Sequence, residues 1–201
     1  MTASEHSGRM ARARSIAVLA ALVGAAAALI GSTQTWLVAT VAGAALPVTG
    51  AEAVSVMQPL ALAALALSLV LSIAGRAVRY VLGAVALVAG GAIGWLSLAL
   101  VADPSPTAAA GPVTEHTGIA GAEAVSELVT ALALTPWPAI TVAAGLLVAA
   151  AGAWTLATAH AWRRGGRRYE NGGRRAAADD GAPLDAVDSW DDLSRGDDPT
   201  R

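Results

Sequence analysis

Apolar residues fill long blocks of this chain, and polar residues gather in the gaps between them. The first block covers residues 15–38, about 24 residues, enough to cross a hydrocarbon core about 30 Å thick at about 1.5 Å per residue. Blocks of similar character cover residues 56–75, 81–102 and 137–161. The breaks between them have the composition of connections. Gly43, Pro47 and Gly50 punctuate the first, Gly75 and two arginines make a tight turn at the second, and Asp103-Pro104-Ser105-Pro106 ends the third block, because proline disfavours a helical residue before it. A longer loop of small residues, in which 122–134 reads as a short interfacial helix, leads to Pro136-Trp137-Pro138 and the last block. The pattern predicts an all-α integral membrane protein with four transmembrane helices arranged as two antiparallel hairpins. Residues 15–162 form the membrane domain, between an amino-terminal tail, 1–14, and a carboxy-terminal segment, 163–201. A cleaved signal peptide competes for the first block, with Ala42-Gly43-Ala44 as its cleavage site, but the apolar stretch exceeds the usual h-region of about 7 to 15 residues. A retained helix is the better reading.

Composition supports the membrane class: 55% of residues are hydrophobic and 14% charged, against about 25% charged in an ordinary soluble domain. Net charge, at −2, matters less than where the charges lie. All thirteen basic residues are Arg, and they occur only before Ser15, at Arg76 and Arg79, and after Trp162. The other two connections hold only acids: Glu52, Asp103, Glu115, Glu123 and Glu127. By the positive-inside rule both termini are then cytoplasmic and the acid-bearing connections face outward. The expected location is a bacterial inner (cell) membrane. Trp36 and Trp137 should lie near the outer interface and Trp162 at the inner one, whereas Trp95 and Trp154 fall deeper, where helix packing would explain them. Residues 163–201 combine an arginine block with an acidic stretch and few apolar residues, the signature of a disordered tail. The arginines there read as an anionic-lipid contact rather than a nucleic-acid surface.

One hexapeptide occurs twice. Gly-Ala-Glu-Ala-Val-Ser stands at 50–55 and again at 121–126, in each case on an outward connection ahead of an apolar block. This suggests a duplicated hairpin, the halves being parallel repeats about an axis along the membrane normal. Thr49 with Glu52 fits the T-x-x-E capping box, and an acid early in a helix also suits its dipole. Glu123 would sit similarly. A sharper reading pairs Glu52 and Glu123 as carboxylates at the mouth of a pathway for a cation or amine. Gln34 and Gln58, near the outer ends of their helices, complete the candidate outer-face polar positions. Gly90 and Gly94, Gly24 and Ala28, and Gly145 with Ala149 and Ala153 space small residues along helix faces, which suits a compact bundle and a homodimer. No Cys is present, His6, His116 and His160 are scattered, and no hydrolase, zinc-protease or P-loop motif occurs. Catalytic, cofactor and metal sites are therefore not expected, and the bilayer is the one partner the composition demands.

Several segments together carry a family resemblance. They are Gly31-Ser32-Thr33-Gln34-Thr35-Trp36, Thr49-Gly50-Ala51-Glu52-Ala53, Pro59 to Ala63, Ala74-Gly75-Arg76 through Arg79, Gly145-Leu146-Leu147, Ala151 to Thr155, and Trp162 followed by Arg167-Arg168-Tyr169. In this order, from about Ile16 to Tyr169 and leaving both tails outside, the chain resembles the actinobacterial tryptophan biosynthesis-associated membrane protein family. The resemblance implies association with tryptophan synthesis and carries over no functional residue. The expectation is a non-enzymatic accessory or regulator whose cytoplasmic tail, 163–201, docks a protein partner. The alternative is a small transporter or export component for tryptophan, indole or a precursor.

Overall fold

The structure, a computed structural model, describes residues 3–158. Among these residues, seven helices and a small sheet follow one another as α1 (Ala3–Thr33), β1 (Thr35–Val41), β2 (Ala44–Thr49), α2 (Gly50–Ala53), α3 (Met57–Ile73), α4 (Arg76–Ala102), a 3₁₀ turn (Pro106–Ala109), α5 (Ala110–Thr117), α6 (Ala122–Leu128), β3 (Val129–Leu134) and α7 (Trp137–Thr158). Three helical stretches are long and apolar enough to cross a membrane: Ser15–Thr33, Ala77–Ala102 and Trp137–Thr158. The fourth apolar helix, α3, has 17 residues, or about 26 Å of rise. It shares the Ala74-Gly75 turn with the 27-residue α4, so α4 reaches further at its other end.

The long helices close into a ring in which α7 packs on α1 and α4, and α3 packs on the other sides of the same two. Contact between α4 and α7 is backbone to backbone. A Cβ added to Gly145 would stand 2.5 Å from the Gly94 nitrogen and 2.8 Å from the Gly90 carbonyl oxygen, and one on Gly152 would stand 2.5 Å from the Leu87 nitrogen. Gly24 of α1 also meets α7 closely: a Cβ added there would stand 2.8 Å from Cγ2 of Val148 and 2.9 Å from the Ala144 carbonyl oxygen. With no hydrophobic drive between helices in lipid, close approach over small residues supplies the dispersion that holds them. Of the small-residue faces noted in the sequence, Gly24, Gly90, Gly94 and Gly145 are thus used inside the monomer, whereas Ala153 is exposed. Outward from this seam the helices present Ile16, Leu19 and Val23, Leu69 and Val70, Val81 and Val88, and Leu146, an apolar belt suited to lipid.

Trp95 and Trp154 belong to that belt, at 71% and 52% exposure, and this corrects their assignment to helix packing. Glycines and alanines fill the helix contacts, leaving no room there for an indole. Arg79 shows the opposite departure: it is only 4% exposed although it follows the polar turn.

The expectation of an all-α protein is also corrected, because the connections at one end fold into a three-stranded antiparallel sheet of order β2-β1-β3. Apolar runs do not reveal their own period, so residues 15–38 read as one helix. The chain in fact leaves the helix after Thr33, and the β-branched and aromatic residues of Thr35-Trp36-Leu37-Val38-Ala39-Thr40-Val41 pair as a strand. Ala42 and Gly43, with φ of 49° and 82°, make the two-residue turn to β2, the type I′ geometry that matches strand twist. Residues 122–134 divide likewise: α6 ends at Leu128 and the remainder is β3. Since β1 comes from the first half of the chain and β3 from the second, the sheet ties the halves together. With α2, α5, α6 and the 3₁₀ turn it forms a cap. The cap joins α1 and α4 at their carboxy ends to α3 and α7 at their amino ends, opposite the Ala74-Gly75 turn. Every acid between Ser15 and Thr158 lies in or beside this cap. The expectations for the carboxy-terminal segment, its disorder, its lipid-facing arginines and Trp162, fall outside the described residues.

Candidate functional site

The cap is organised around Trp36. Gly31, in the last turn of α1, accepts a 2.8 Å hydrogen bond at its carbonyl oxygen from the indole Nε1 of Trp36, and the ring is wholly buried. Its other neighbour is the first residue of the repeated hexapeptide. A Cβ on Gly50 would lie 2.5 Å from Cε2 and 2.6 Å from Nε1 of the indole, so glycine is required there by contact. The Gly50 N–H donates to the Gln34 carbonyl (3.1 Å), and the Thr135 N–H donates to the Trp36 carbonyl (2.9 Å). Thr135 Oγ1 donates to the Thr35 carbonyl (2.6 Å) and accepts from the Trp137 N–H (3.3 Å). The end of α1 and the start of α2 therefore meet at the indole, and the segment leading into α7 is tied to the Trp36 backbone. In sequence Trp36 reads as an interfacial aromatic. Its ring packs against Gly50, which lies too far along the chain for any local pattern to connect.

Glu52 is a cap. Its carboxylate accepts from the Thr49 N–H (2.6 Å) and Thr49 Oγ1 (2.7 Å), while the Glu52 N–H donates to Thr49 Oγ1 (3.3 Å). This is the reciprocal capping box, with Glu52 at the third helical position. Glu123 stands one position earlier in its helix, because Gly121, at φ 115°, is the cap residue and α6 begins at Ala122. The two hexapeptides nevertheless close the same turn, Val54 N–H to Gly50 carbonyl (3.0 Å) and Val125 N–H to Gly121 carbonyl (2.9 Å). Their helices α2 and α6 both pack on the Pro106–Ala109 turn. Beyond this the copies differ: α3 starts two residues after Ser55, whereas Ser126 is followed by the end of α6 and by β3. Glu52, Gln58 and Glu123 face solvent, and Gln34 is half-buried with its Nε2 donating to Thr33 Oγ1 (3.2 Å). All four candidates belong to the cap end of the molecule, but only Gln34 and Glu52 are linked through hydrogen bonds, by way of Thr49-Gly50.

Within the bundle the buried hydroxyls are satisfied locally. Ser68 donates to the Ala64 carbonyl (2.7 Å), Ser97 to Ile93 (2.8 Å), Thr141 to Trp137 (3.0 Å) and Thr155 to Ala151 (2.8 Å). Each bond stays within one helix, which is how a hydroxyl tolerates a low-dielectric interior without a partner across the bundle. Among the described residues no three His, Asp or Glu side chains gather closely enough to hold a metal ion.

Comparison with known proteins agrees with a membrane protein. No curated protein and no solved structure matches the chain. A family model described as tryptophan-associated transmembrane protein matches residues 18–200, covering the bundle and the cap. It also covers the acidic segment after Trp162, which the motif resemblance had left outside. The chain therefore belongs to the tryptophan-associated transmembrane protein family.

Proposed function

We propose that this protein is a non-enzymatic accessory or regulator of tryptophan metabolism in the bacterial inner membrane. In this reading α1, α3, α4 and α7 span as two antiparallel hairpins, both termini are cytoplasmic, and the acid-bearing cap lies outside. Residues 163–201 dock a cytoplasmic partner. The sidedness rests on charge: arginine occurs at one end of the bundle and in the terminal segments, and acids alone occur in the cap.

One observation favours an accessory role over transport, namely the close backbone packing of α4 on α7. Gly90, Gly94 and Gly145 bring α4 and α7 into backbone contact, and the buried hydroxyls donate to carbonyls of their own helices. A passage for an amino acid or indole would instead need polar groups that converge from several helices. Glu52 serves the fold as a cap, which weakens its reading as one of two pathway carboxylates.

Uptake or release of labelled tryptophan and indole by vesicles with and without the protein decides between the readings. Equal flux is expected, and a protein-dependent flux would overturn the accessory role in favour of an export component. Reporter fusions at Thr49, Ala77, Gly118 and Gly173 should read outside, inside, outside and inside. Truncation of residues 174–201 should remove a crosslinked cytoplasmic partner, and an unchanged set of partners would end the docking idea.

A further inference from the structure

The apolar helices do not end at one height beneath the cap. Both α3 and α4 leave the Ala74-Gly75 turn, yet α3 has 17 residues and α4 has 27, about 26 Å of rise against about 40 Å. Over the start of α3 stand the non-helical residues Val54, Ser55 and Val56 and the exposed Glu52 of α2, and Gln58, the second residue of α3, is exposed as well. The height of α2 follows from its anchor. Gly50 lies against the indole of Trp36, which is bonded to Gly31 in the last turn of α1, and a Cβ on Gly31 would meet Oγ1 of Thr141 in α7. Since α7 runs antiparallel to α4 with Gly145 beside Gly94, Thr141, one turn nearer the cap, stands level with Ser97 and Leu98. At that height α4 and α7 still present apolar surface, Leu98 and Ile140 being 46% and 45% exposed. No charge occurs on α4 between Arg79 and Asp103. A carboxylate over α3 and a bare leucine on α4 thus share one level.

We propose that this protein holds the cap-side hydrocarbon boundary at two heights, lower beside α3 than beside α4 and α7, resting on the reading of all four helices as spans. Its partner along α3 is a thinned patch of the cap-side leaflet, suited to phospholipids with short acyl chains. A flat boundary fails at either height. Set at the start of α3, it would leave Leu98 and Ile140 in water; set near the end of α4, it would sink the exposed Glu52 into hydrocarbon, where an ionised carboxylate is strongly disfavoured. A bilayer meets a short span by thinning. Gln58 stands 17 positions from Gly75 and Leu98 stands 23, so the step between them is about 9 Å at about 1.5 Å per residue.

The chain has no cysteine, so single introduced thiols read exposure to water. The full chain is embedded in nanodiscs of phospholipid with eighteen-carbon chains, both faces open, and treated with a membrane-impermeant maleimide, each rate being normalised to the same variant unfolded in detergent. Gln58→Cys should label about tenfold faster than Leu98→Cys or Ile140→Cys. That order inverts distance from the Gly75 turn, which a flat boundary cannot do, and Ile140→Cys carries the comparison if Leu98→Cys folds poorly. In nanodiscs of twelve-carbon chains the boundary beside α4 drops, and Leu98→Cys should approach the Gln58→Cys rate. Leu69→Cys, exposed midway along α3, should stay unlabelled in the eighteen-carbon discs. Labelling of Leu98→Cys as fast as Gln58→Cys in those discs, or slow labelling of Leu98→Cys that persists in the thin ones, would overturn the two-height boundary. Labelling of Leu69→Cys at the Gln58→Cys rate would instead overturn the reading of α3 as a span.

Discussion

Replacing Gly50 by alanine adds one methyl group against the best-anchored side chain of the cap. The new Cβ would lie 2.5 Å from Cε2, 2.6 Å from Nε1 and 2.9 Å from Cζ2 of Trp36, well inside van der Waals contact. The indole cannot easily retreat, because its Nε1 is bonded to the Gly31 carbonyl at 2.8 Å and the ring is fully enclosed. Overpacking of a close core costs about 1 to 3 kcal/mol, and a strained indole bond adds up to about 1 kcal/mol. A loss of about 2 kcal/mol corresponds to ~4–8 °C in thermal midpoint for a chain of this size. The measurement is thermal unfolding in detergent followed by far-ultraviolet circular dichroism, with Gly91→Ala as control. Gly91 has nothing within 4 Å of its added Cβ and should be neutral or slightly stabilised, since alanine suits a helix better than glycine. Combining Gly50→Ala with Trp36→Phe, which removes the crowded pyrrole atoms, should cost less than the sum of the two single changes. Equal midpoints for Gly50→Ala and Gly91→Ala would refute the role given to the contact.

Gly145→Val sets a side chain against the Gly94 nitrogen and Gly90 carbonyl. These are backbone atoms that can yield only by parting α4 from α7, so the yield of monodisperse protein should fall sharply while the outward-facing Gly91→Val is tolerated. Thr49→Ala should cost about 1 kcal/mol through loss of the cap. Glu52→Gln should be nearly silent in both stability and complementation of a deletion strain, because glutamine can also serve in a capping box, and a Glu52→Gln chain that folded but failed to complement would revive a chemical role for the carboxylate. Ala42→Asn should raise the midpoint by a few degrees, corresponding to about 0.5 to 1 kcal/mol, since Ala42 carries φ 49° and Asn-Gly is the favoured pair for this turn.

Much of this protein can be read locally. Spans need only length and apolarity, so the helices at Ser15–Thr33, Ala77–Ala102 and Trp137–Thr158 announce themselves, as do the Gly75 turn and the asymmetric placement of arginine. The Thr49-Glu52 box is legible for the same reason, because both partners lie within one turn. The candidate positions Gln34, Gln58 and Glu123 are polar in sequence and lie at the cap end in the structure. Nothing local could say that Gln34 meets Gly50 through its carbonyl.

The sheet is where local reading ends. Thr35–Val41 follows the apolar run of α1 across only the short polar stretch Ser32-Thr33-Gln34, and pairing with both Ala44–Thr49 and Val129–Leu134 makes it a strand. The third of these segments is about ninety residues away, beyond any periodicity. Trp36, Trp95 and Trp154 make the same point with one residue type. Trp36 is buried because Gly50 leaves room for its ring, and the other two face outward because glycine and alanine already occupy the helix contacts. Hydropathy by itself determined that the chain belongs in a bilayer, and the placement of arginine supplied the expectation for its sidedness. Which apolar surfaces meet one another and which meet lipid was decided by tertiary packing, since lipid and protein interiors are equally apolar and only shape distinguishes them.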